Sequence, residues 1–305
     1  MSTPPLGVPF GANPELSGER VGPFVDLQTH TTASDGALSP TVVLEAAKAA
    51  ELAAIAITDH DTVDGLPEAT EVGARLGVRV VPGVELSTHF EGEEMHMLGL
   101  HMTDLDVMAT ALRTFRVGRV DRSEQMVAVL NRAGIPVTME AVLQHSAGGA
   151  VGRPHIARAM VDGGWVSEFR EAFDKWIGAG KPAYVAKEQF AIADAIALVR
   201  RAGGITVWAH PGELATLART TRLAALGLDA VEVLHPSHPP YVQNKILNAV
   251  NELRILPSGG SDWHGTTDGY RRLGGQQVPM EWLVRQDALV ASRQSAAING
   301  AVAYP

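Results

Sequence analysis

The sequence predicts an α/β barrel with a helical insertion, and three observations predict it. Short apolar runs of strand length recur along the chain, several separated by helix-like stretches. The runs end on histidines or acids. Those residues are His30, Asp35, His60, Glu85, His96, His210, Asp262 and His264, all of kinds that bind metals. Buried strands that each deliver one polar side chain at the C-terminal end describe a barrel with its site at the top.

Phe24-Val-Asp-Leu27 reads as the first strand. Ser39 can cap the next helix and Pro40 suits its first position, with the helix running to about Leu52. The strand at 54–58 leads directly into Asp59-His60-Asp61. A second helix spans Leu66 to Leu76 and ends at Gly77. Val78-Arg-Val-Val81 leads through Pro82-Gly-Val to Glu85, and Glu94 to Leu100 is a further strand. Alternation puts His96 on the face opposite Met95 and Met97.

From Thr103 the rhythm changes to helical periodicity without parallel strands. Arg113, Arg116, Arg119 and Arg122 recur at every third position, ahead of a helix from Gln125 to Ala133 closed by Gly134. Short helices follow at Glu140 to His145 and His155 to Asp162. The strand–helix alternation resumes at Ala191. It gives helix 193–202, strand 205–209, helix 214–226, strand 229–234, helix 241–252 and strand 254–257. The last strand leads into Ser258-Gly-Gly-Ser-Asp262-Trp-His264. Candidate ligands lie on both sides of the helical stretch. The flanks, 23–102 and 191–305, therefore form one discontinuous barrel, 103–190 is an insertion covering the site, and 1–22 is an extended Pro/Gly arm.

Composition narrows the function. At 305 residues, 46% hydrophobic and 19% charged, the chain supports a large core and excludes global disorder. No run approaches the roughly 18 to 20 apolar residues of a membrane span. The first residues lack the basic and apolar regions of a signal peptide. There is no cysteine, which excludes disulfides and thiolate–zinc sites and suits a cytoplasmic protein. A net charge of −9 argues against a broad nucleic-acid surface, while a local basic pocket for one phosphate remains compatible. No obligate protein partner is read from the sequence.

A cluster rich in histidine and carboxylate and free of thiolate suits Mn, Fe or Zn in a hydrolytic site. Asp26-Leu-Gln-Thr-His30, Ser34-Asp-Gly36 and Ile57-Thr-Asp-His-Asp61 form one constellation. Gly83-Val-Glu85, Met95-His-Met-Leu98, Ala209-His-Pro211 and Gly259-Gly-Ser-Asp-Trp-His264 follow it. In order and spacing these motifs resemble the PHP (polymerase and histidinol phosphatase) family of metal-dependent phosphoesterases, over roughly residues 24–270. Gly152-Arg-Pro-His-Ile156 and Gly180-Lys-Pro-Ala-Tyr184 resemble its subgroup of nucleoside 3′,5′-bisphosphate phosphatases and 5′-to-3′ exoribonucleases.

The resemblance implies a distorted (β/α)7 barrel holding two or three divalent metals, Mn favoured over Fe, Zn or Mg. It implies one metal on His30, Glu85 and Asp262, a second on Glu85, His96 and His210, and a third on Asp35, His60 and His264. Glu85 would bridge two of them, and hydroxide held between the metals would attack phosphorus in line. The chain departs from the family pattern at Gln28, where the usual residue is a histidine ligand. An amide offers only a neutral carbonyl oxygen, so this position weakens one metal site, tunes it towards an oxygen-loving metal, or leaves it empty.

Other residues carry weaker expectations. Arg153 and His155 are the first candidates for phosphate binding, with Lys181 a weaker one. The Arg113–Arg122 series reads as a solvated helix face, with a second phosphate clamp as the sharper alternative. His235, at the end of its strand, is a candidate to protonate the leaving oxygen or touch substrate. Asp59 and Asp61 are expected to cap the following helix or to orient His60. Asp35 has a second reading as a turn cap. His89, His101 and His145 read as ordinary surface or helix residues. The expected activity is metal-dependent hydrolysis of a nucleotide phosphomonoester, a 3′,5′-bisphosphonucleoside being favoured. The alternatives are a 5′-to-3′ exoribonuclease on short RNA and a nucleotide sensor whose metal site is degraded at Gln28.

Overall fold

The computed structural model describes residues 22–146, 151–186, 190–266 and 270–301, without the side chains of 114–117, 119 and 297–301. The N-terminal arm lies outside the described residues, as do the side chains of Arg116 and Arg119. Eight strands form one sheet: β1 Phe24–Asp26, β2 Ala54–Ile57, β3 Arg79–Phe90, β4 Glu93–Leu100, β5 Ile205–Trp208, β6 Ala230–Leu234, β7 Leu256–Gly259 and β8 Val278–Pro279. Their order is β7-β6-β5-β4-β3-β2-β1-β8. Beyond β1 and β7 the chain closes the ring. Leu27 N donates to Gly259 O at 3.2 Å, Asp262 N to Gln28 O at 2.9 Å and His30 N to Trp263 O at 2.9 Å. The result is a nearly closed α/β barrel of seven main strands, with the two-residue β8 added antiparallel to β1.

The helices form where the residues dictate. Helix α1 (Pro40–Ala49) starts behind Ser39, whose side chain accepts from Val42 N, and it ends three residues short of Leu52. Helix α2 (Leu66–Leu76) stops at Gly77, which takes φ +69°. Helix α7 (Ile192–Arg201) before β5, and α8 (Leu217–Leu226) and α9 (Pro240–Leu253) after it, pack around the barrel. Sequence patterning assigned no helix at the end of the chain. There α10 (Met280–Ala301) buries Trp282, Leu283 and Gln286 against β7 and β1.

The strict strand–helix alternation breaks at β3 and β4. A turn of Glu91 (φ +55°) and Gly92 (φ +82°) joins them, so they pair antiparallel over eight residues, and β4 is also antiparallel to β5. Two residues can close a hairpin but cannot carry the crossover that parallel strands require. Glu85 therefore lies within a long strand, past the end of β2, where it bridges to His60.

The insertion begins with one continuous helix, α3 (Leu105–Arg132). Its first turns place Met108 and Leu112 in the barrel's hydrophobic cluster. Its last turns place Met126 and Leu130 in a second cluster, with Val142 of α4 (Met139–Ser146), Ile156 and Met160 of α5 (Arg153–Asp162), and Ile177. Helix α6 (Phe169–Ala172) runs into a π-helical turn at Phe173–Ile177 that sequence patterning did not show. One helix thus ties the two cores together.

His101 is no surface residue. It is buried, with Nε2 3.1 Å from Gln286 Oε1 and Nδ1 3.2 Å from Asp287, and it fastens the end of β4 to α10. His145, by contrast, makes a half-exposed ion pair with Asp162 at 3.0 Å.

Closure depends on Gly260, where a Cβ would lie 2.5 Å from Gln28 N. That neighbour is backbone and cannot rotate away. Gly260→Ala should lower the unfolding free energy by about 2 kcal/mol or more. Urea unfolding of the two proteins measures it, and equal midpoints would remove this contact from the closure.

Candidate metal centre

One rim of the barrel, at the C-terminal ends of the parallel strands and beside the N-terminal half of the antiparallel β4, collects the polar side chains. Alternation along 26–30 points Asp26, Gln28 and His30 to one side and buries Leu27 on the other. The β2 exit supplies His60, β3 supplies Glu85, β4 His96, β5 His210, and the β7 exit Asp262 and His264. Two of these sit on sharply turned backbone: His210 has φ +30° and Asp262 φ +51°. Non-glycine residues in this region are strained and concentrate at functional sites.

Glu85 is the hub of the cluster and is fully buried. Its Oε1 lies 2.7 Å from His96 Nδ1 and 2.9 Å from His210 Nε2. Its Oε2 lies 3.1 Å from His30 Nε2 and 3.9 Å from His60 Nδ1. His30 Nε2 is also 3.1 Å from Asp262 Oδ1, and His264 Nε2 is 3.4 Å from Asp35 Oδ1. The His30 ring stacks between those of His60 (4.7 Å) and His264 (4.2 Å).

Three sets of ligand atoms lie within 4.8 Å of one another: His30, Asp35, His60 and His264; His60, Glu85 and His96; and His30, Glu85 and Asp262. The residues fit a divalent metal on two counts. The donors are imidazole and carboxylate, and the ring faces are oriented from behind. His264 Nδ1, for example, is 2.8 Å from the carbonyl of Asp262, so its Nε2 lone pair faces Asp35.

Charge in the cluster follows from burial set against neighbours. Burial alone would raise the carboxyl of Glu85, but His60, His96, His210 and His30 hold it well below the usual range. Burial likewise opposes ionisation of Asp35 and Asp262 and is outweighed, by His60 and His264 at Asp35 and by His235 and His30 at Asp262. For His60 burial wins and pushes the imidazole down to about 3, against the pull of Glu85 and Asp35.

Gln28 takes an unexpected part. Its amide Nε2 donates to Glu85 Oε2 at 3.0 Å, while its Oε1 is buried with no hydrogen-bond partner. The amide therefore meets the hub carboxylate with its nitrogen, in contrast to the carbonyl-oxygen contact expected of a ligand.

His235 is also placed differently from a leaving-group acid. It is buried, its Nδ1 is 2.7 Å from Ser237 Oγ, and its Nε2 is 3.5 Å from Asp262. Burial lowers its pKa, so it stands neutral behind Asp262. Asp59 and Asp61 do not cap α2, whose N-cap is Gly65 with no side-chain bond. Asp59 accepts from Thr31 N and Ser34 Oγ, both at 2.7 Å, and so shapes the loop that bears His30 and Asp35. Asp61 accepts from Ser87 N at 3.0 Å and pins the His60 turn to β3.

A cleft opens beside this cluster. It is lined by Asp35, His60 and His96 on one side and by Arg122, Gly152, Arg153, Pro154 and His155 on the other. Gly152 precedes α5, and His155 Nδ1 accepts its N–H at 3.1 Å. Arg158 on the same helix donates to the Asp35 carbonyl at 3.3 Å and fastens the insertion to the barrel loop. Lys181 is exposed and does not line the cleft.

Three residues that sequence reasoning left aside matter here. Arg271 Nη2 is 2.8 Å from Asp262 Oδ2. Asp26, pushed up to about 6 by burial, accepts from Ser261 N and Gly274 N, both at 2.8 Å. Glu232, buried within β6, accepts from His210 N at 2.6 Å, and burial raises its pKa well above the usual range. The one acid inside the apolar run Ala230-Val-Glu-Val-Leu234 was a signal that could have been read.

The His210 turn rests on His238. His238 Nε2 accepts from Gly212 N at 3.0 Å, so Nδ1 carries the proton and donates to Val233 O at 3.1 Å. Burial lowers its pKa from 6.5 to about 4. Between those values the unfolded chain binds a proton that the folded chain does not. The contribution is therefore complete above pH 6.5 and is lost as pH falls towards 4, on the order of 1–3 kcal/mol in all. Urea unfolding of wild type and His238→Gln across pH 7.5 to 4.5 should show the shallower pH dependence in the variant. Parallel curves would clear His238 of this role.

Comparison with known proteins agrees with the geometry. The PHP domain family model matches residues 26–178. A 3′,5′-nucleoside bisphosphate phosphatase of Chromobacterium violaceum is 35% identical over 82% of this chain and 90% of its own. The 5′-3′ exoribonuclease Rnm of Salmonella typhimurium is 34% identical over 82% and 88%. A crystal structure of a Bifidobacterium adolescentis protein, assigned to the metal-dependent phosphoesterases, superposes with a TM-score of 0.79 at 28% identity, over 88% of this chain and 96% of that one. With its motifs on a barrel rim and relatives matched over most of their length, the chain belongs to the PHP domain family and is a metal-dependent phosphoesterase.

Proposed function

We propose that the protein removes phosphate from a nucleotide phosphomonoester, with a 3′,5′-bisphosphonucleoside as the favoured substrate. One observation carries this reading: the cleft sets the His/carboxylate cluster against Arg153 and the start of α5. A helix N-terminus and a forked guanidinium both suit a phosphoryl group. The likeness to the Chromobacterium violaceum phosphatase supports the nucleotide class.

His30, Glu85 and Asp262 would hold one metal, Glu85, His96 and His210 a second, and Asp35, His60 and His264 a third, with Mn favoured. When bound, such cations supply Lewis acidity and bring the pKa of water towards neutrality. The remaining work falls to the chain. Arg153 and His155 orient the phosphoryl group and meet charge on its outer oxygens. His235 and Arg271 hold Asp262 in place. Gln28 Nε2 steadies the hub carboxylate, and Glu232 steadies the His210 turn. The insertion, residues 103–190, narrows the approach and selects the leaving group.

A second reading, stepwise 5′-to-3′ hydrolysis of short RNA, is favoured by the near-equal identity to the Salmonella typhimurium exoribonuclease. A nucleotide sensor without turnover is set aside, because a phosphoesterase cluster is assembled around Gln28. On a 3′-labelled oligonucleotide bearing a 5′-phosphate, loss of the terminal phosphate alone rejects the exonuclease, and progressive shortening supports it.

Purified protein with added Mn should release phosphate from adenosine 3′,5′-bisphosphate, and a chelator should stop it. Activity that survives the chelator, or no release from any nucleotide, rejects the reading. Glu85→Gln should lose metal on dialysis. It should also lose more activity than the roughly 10- to 100-fold typical of residues behind the ligands. Full metal content and near-normal rates in that variant would remove Glu85 as the hub.

A further inference from the structure

Arg122 does not behave as one of a solvated row. Arg113, on the same helix, is exposed and bonds only locally, Nη2 to Thr110 Oγ1 at 2.7 Å. Arg122 is half-buried in the wall of the cleft. Its Nε donates to the carbonyl of Val185 at 2.7 Å, which fixes the plane of the guanidinium. Its Cζ lies 5.8 Å from the centre of the Tyr184 ring, and the Cζ of Arg153 lies 5.7 Å from the same centre. Arg153 is also 5.8 Å from the Phe173 ring. Two guanidinium groups therefore share one aromatic support, and the charge of Arg153 repels that of Arg122.

The local carboxylate does not balance them. Glu94 is 4.0 Å from Arg153 and is itself partly exposed. Asp35, the other acid lining the cleft, is engaged by His264 and His60. Burial, and after it the repulsion of Arg153, lower the pKa of Arg122. Among the described residues the wall thus carries two cations and one acid, facing the His/carboxylate cluster.

We propose that Arg122, braced on Tyr184 beside Arg153, anchors a second anion pocket that holds the phosphate a substrate keeps, and that it sets the preference for substrates bearing two phosphates. The inference rests on the reading of the cluster as a nucleotide phosphatase and adds a specificity-determining residue to it. With Nε committed to Val185, the Nη groups are what Arg122 presents, a fork that matches phosphate oxygens. The phosphate they hold is either the second monoester of a bisphosphonucleoside or the next diester of a short RNA.

The test uses Mn-loaded enzyme and compares kcat/KM for adenosine 3′,5′-bisphosphate, 3′-AMP, 5′-AMP and a 5′-phosphorylated dinucleotide. Wild type should prefer a two-phosphate substrate over either monophosphate by about 100-fold or more. Arg122→Met should reduce that preference about 10- to 100-fold, and Arg122→Lys less, because an ammonium keeps the charge without the fork. Loss of preference for the bisphosphate assigns the pocket to a monoester, and loss for the dinucleotide alone assigns it to a diester. An absent preference in wild type, or an unchanged one in a folded Arg122→Met protein, overturns the inference while leaving the phosphatase reading intact. If no nucleotide is turned over, calorimetric binding of 5′-AMP and adenosine decides instead. Weaker 5′-AMP binding in Arg122→Met supports the pocket without the reaction, and equal binding refutes it.

Discussion

The buried carboxylate of Glu85 is the constraint on which the rest of the site depends. It is removed from water at the middle of the barrel mouth and faces four imidazoles and one amide. A carboxylate in that position is tolerable only when charge and hydrogen bonds offset its desolvation. Its partners come from the four strands nearest it in the sheet, and closure of the ring adds Asp262 from the β7 exit against His30. The closure between the β1 and β7 exits, with Gly260 against Gln28, is in this sense part of the site.

Around the hub the protein places a layer that holds without joining the donor set. Asp59 and Asp61 shape two loops through backbone and hydroxyl donors, and Glu232 and His238 fix the His210 turn. Arg271 and His235 close on Asp262 from the outer side. These contacts explain why residues with positive φ can persist at His210 and Asp262: the surrounding bonds over-determine the turn. They also explain how Gln28 is accommodated. An amide donor to Glu85 satisfies one carboxylate oxygen and leaves the other histidines in place.

The insertion supplies the opposite charge. The chain carries a net −9, yet the wall facing the acid-rich centre presents Arg122 and Arg153. Field sign is therefore local, set by which helix face the second hydrophobic cluster turns inward. Helix α3 spans both cores, so the position of the arginines is tied mechanically to the barrel.

Much of this was legible in the chain. Apolar runs of strand length, helix caps such as Ser39 and Gly77, and the placing of His60, His210, Asp262 and His264 at strand exits are local features with local causes, whereas Glu85 and His96 lie within their strands. The two-residue turn at Glu91-Gly92 was equally local, a signal for the antiparallel β3–β4 pair that the sequence reading left without a direction. Other features had no local signature. Nothing near Gln28 tells that its nitrogen faces Glu85, 57 residues away. Periodicity could not separate Arg122 from Arg113, and His235 took its buried place only when the β7 exit came to lie beside it. Sequence by itself determined the elements and the kinds of chemistry available, because propensity, capping and side-chain type act over a few residues. Tertiary structure alone decided which of those groups meet, which are neutral and which charged. Distance and burial depend on contacts made across the whole barrel, and no short stretch of chain contains them.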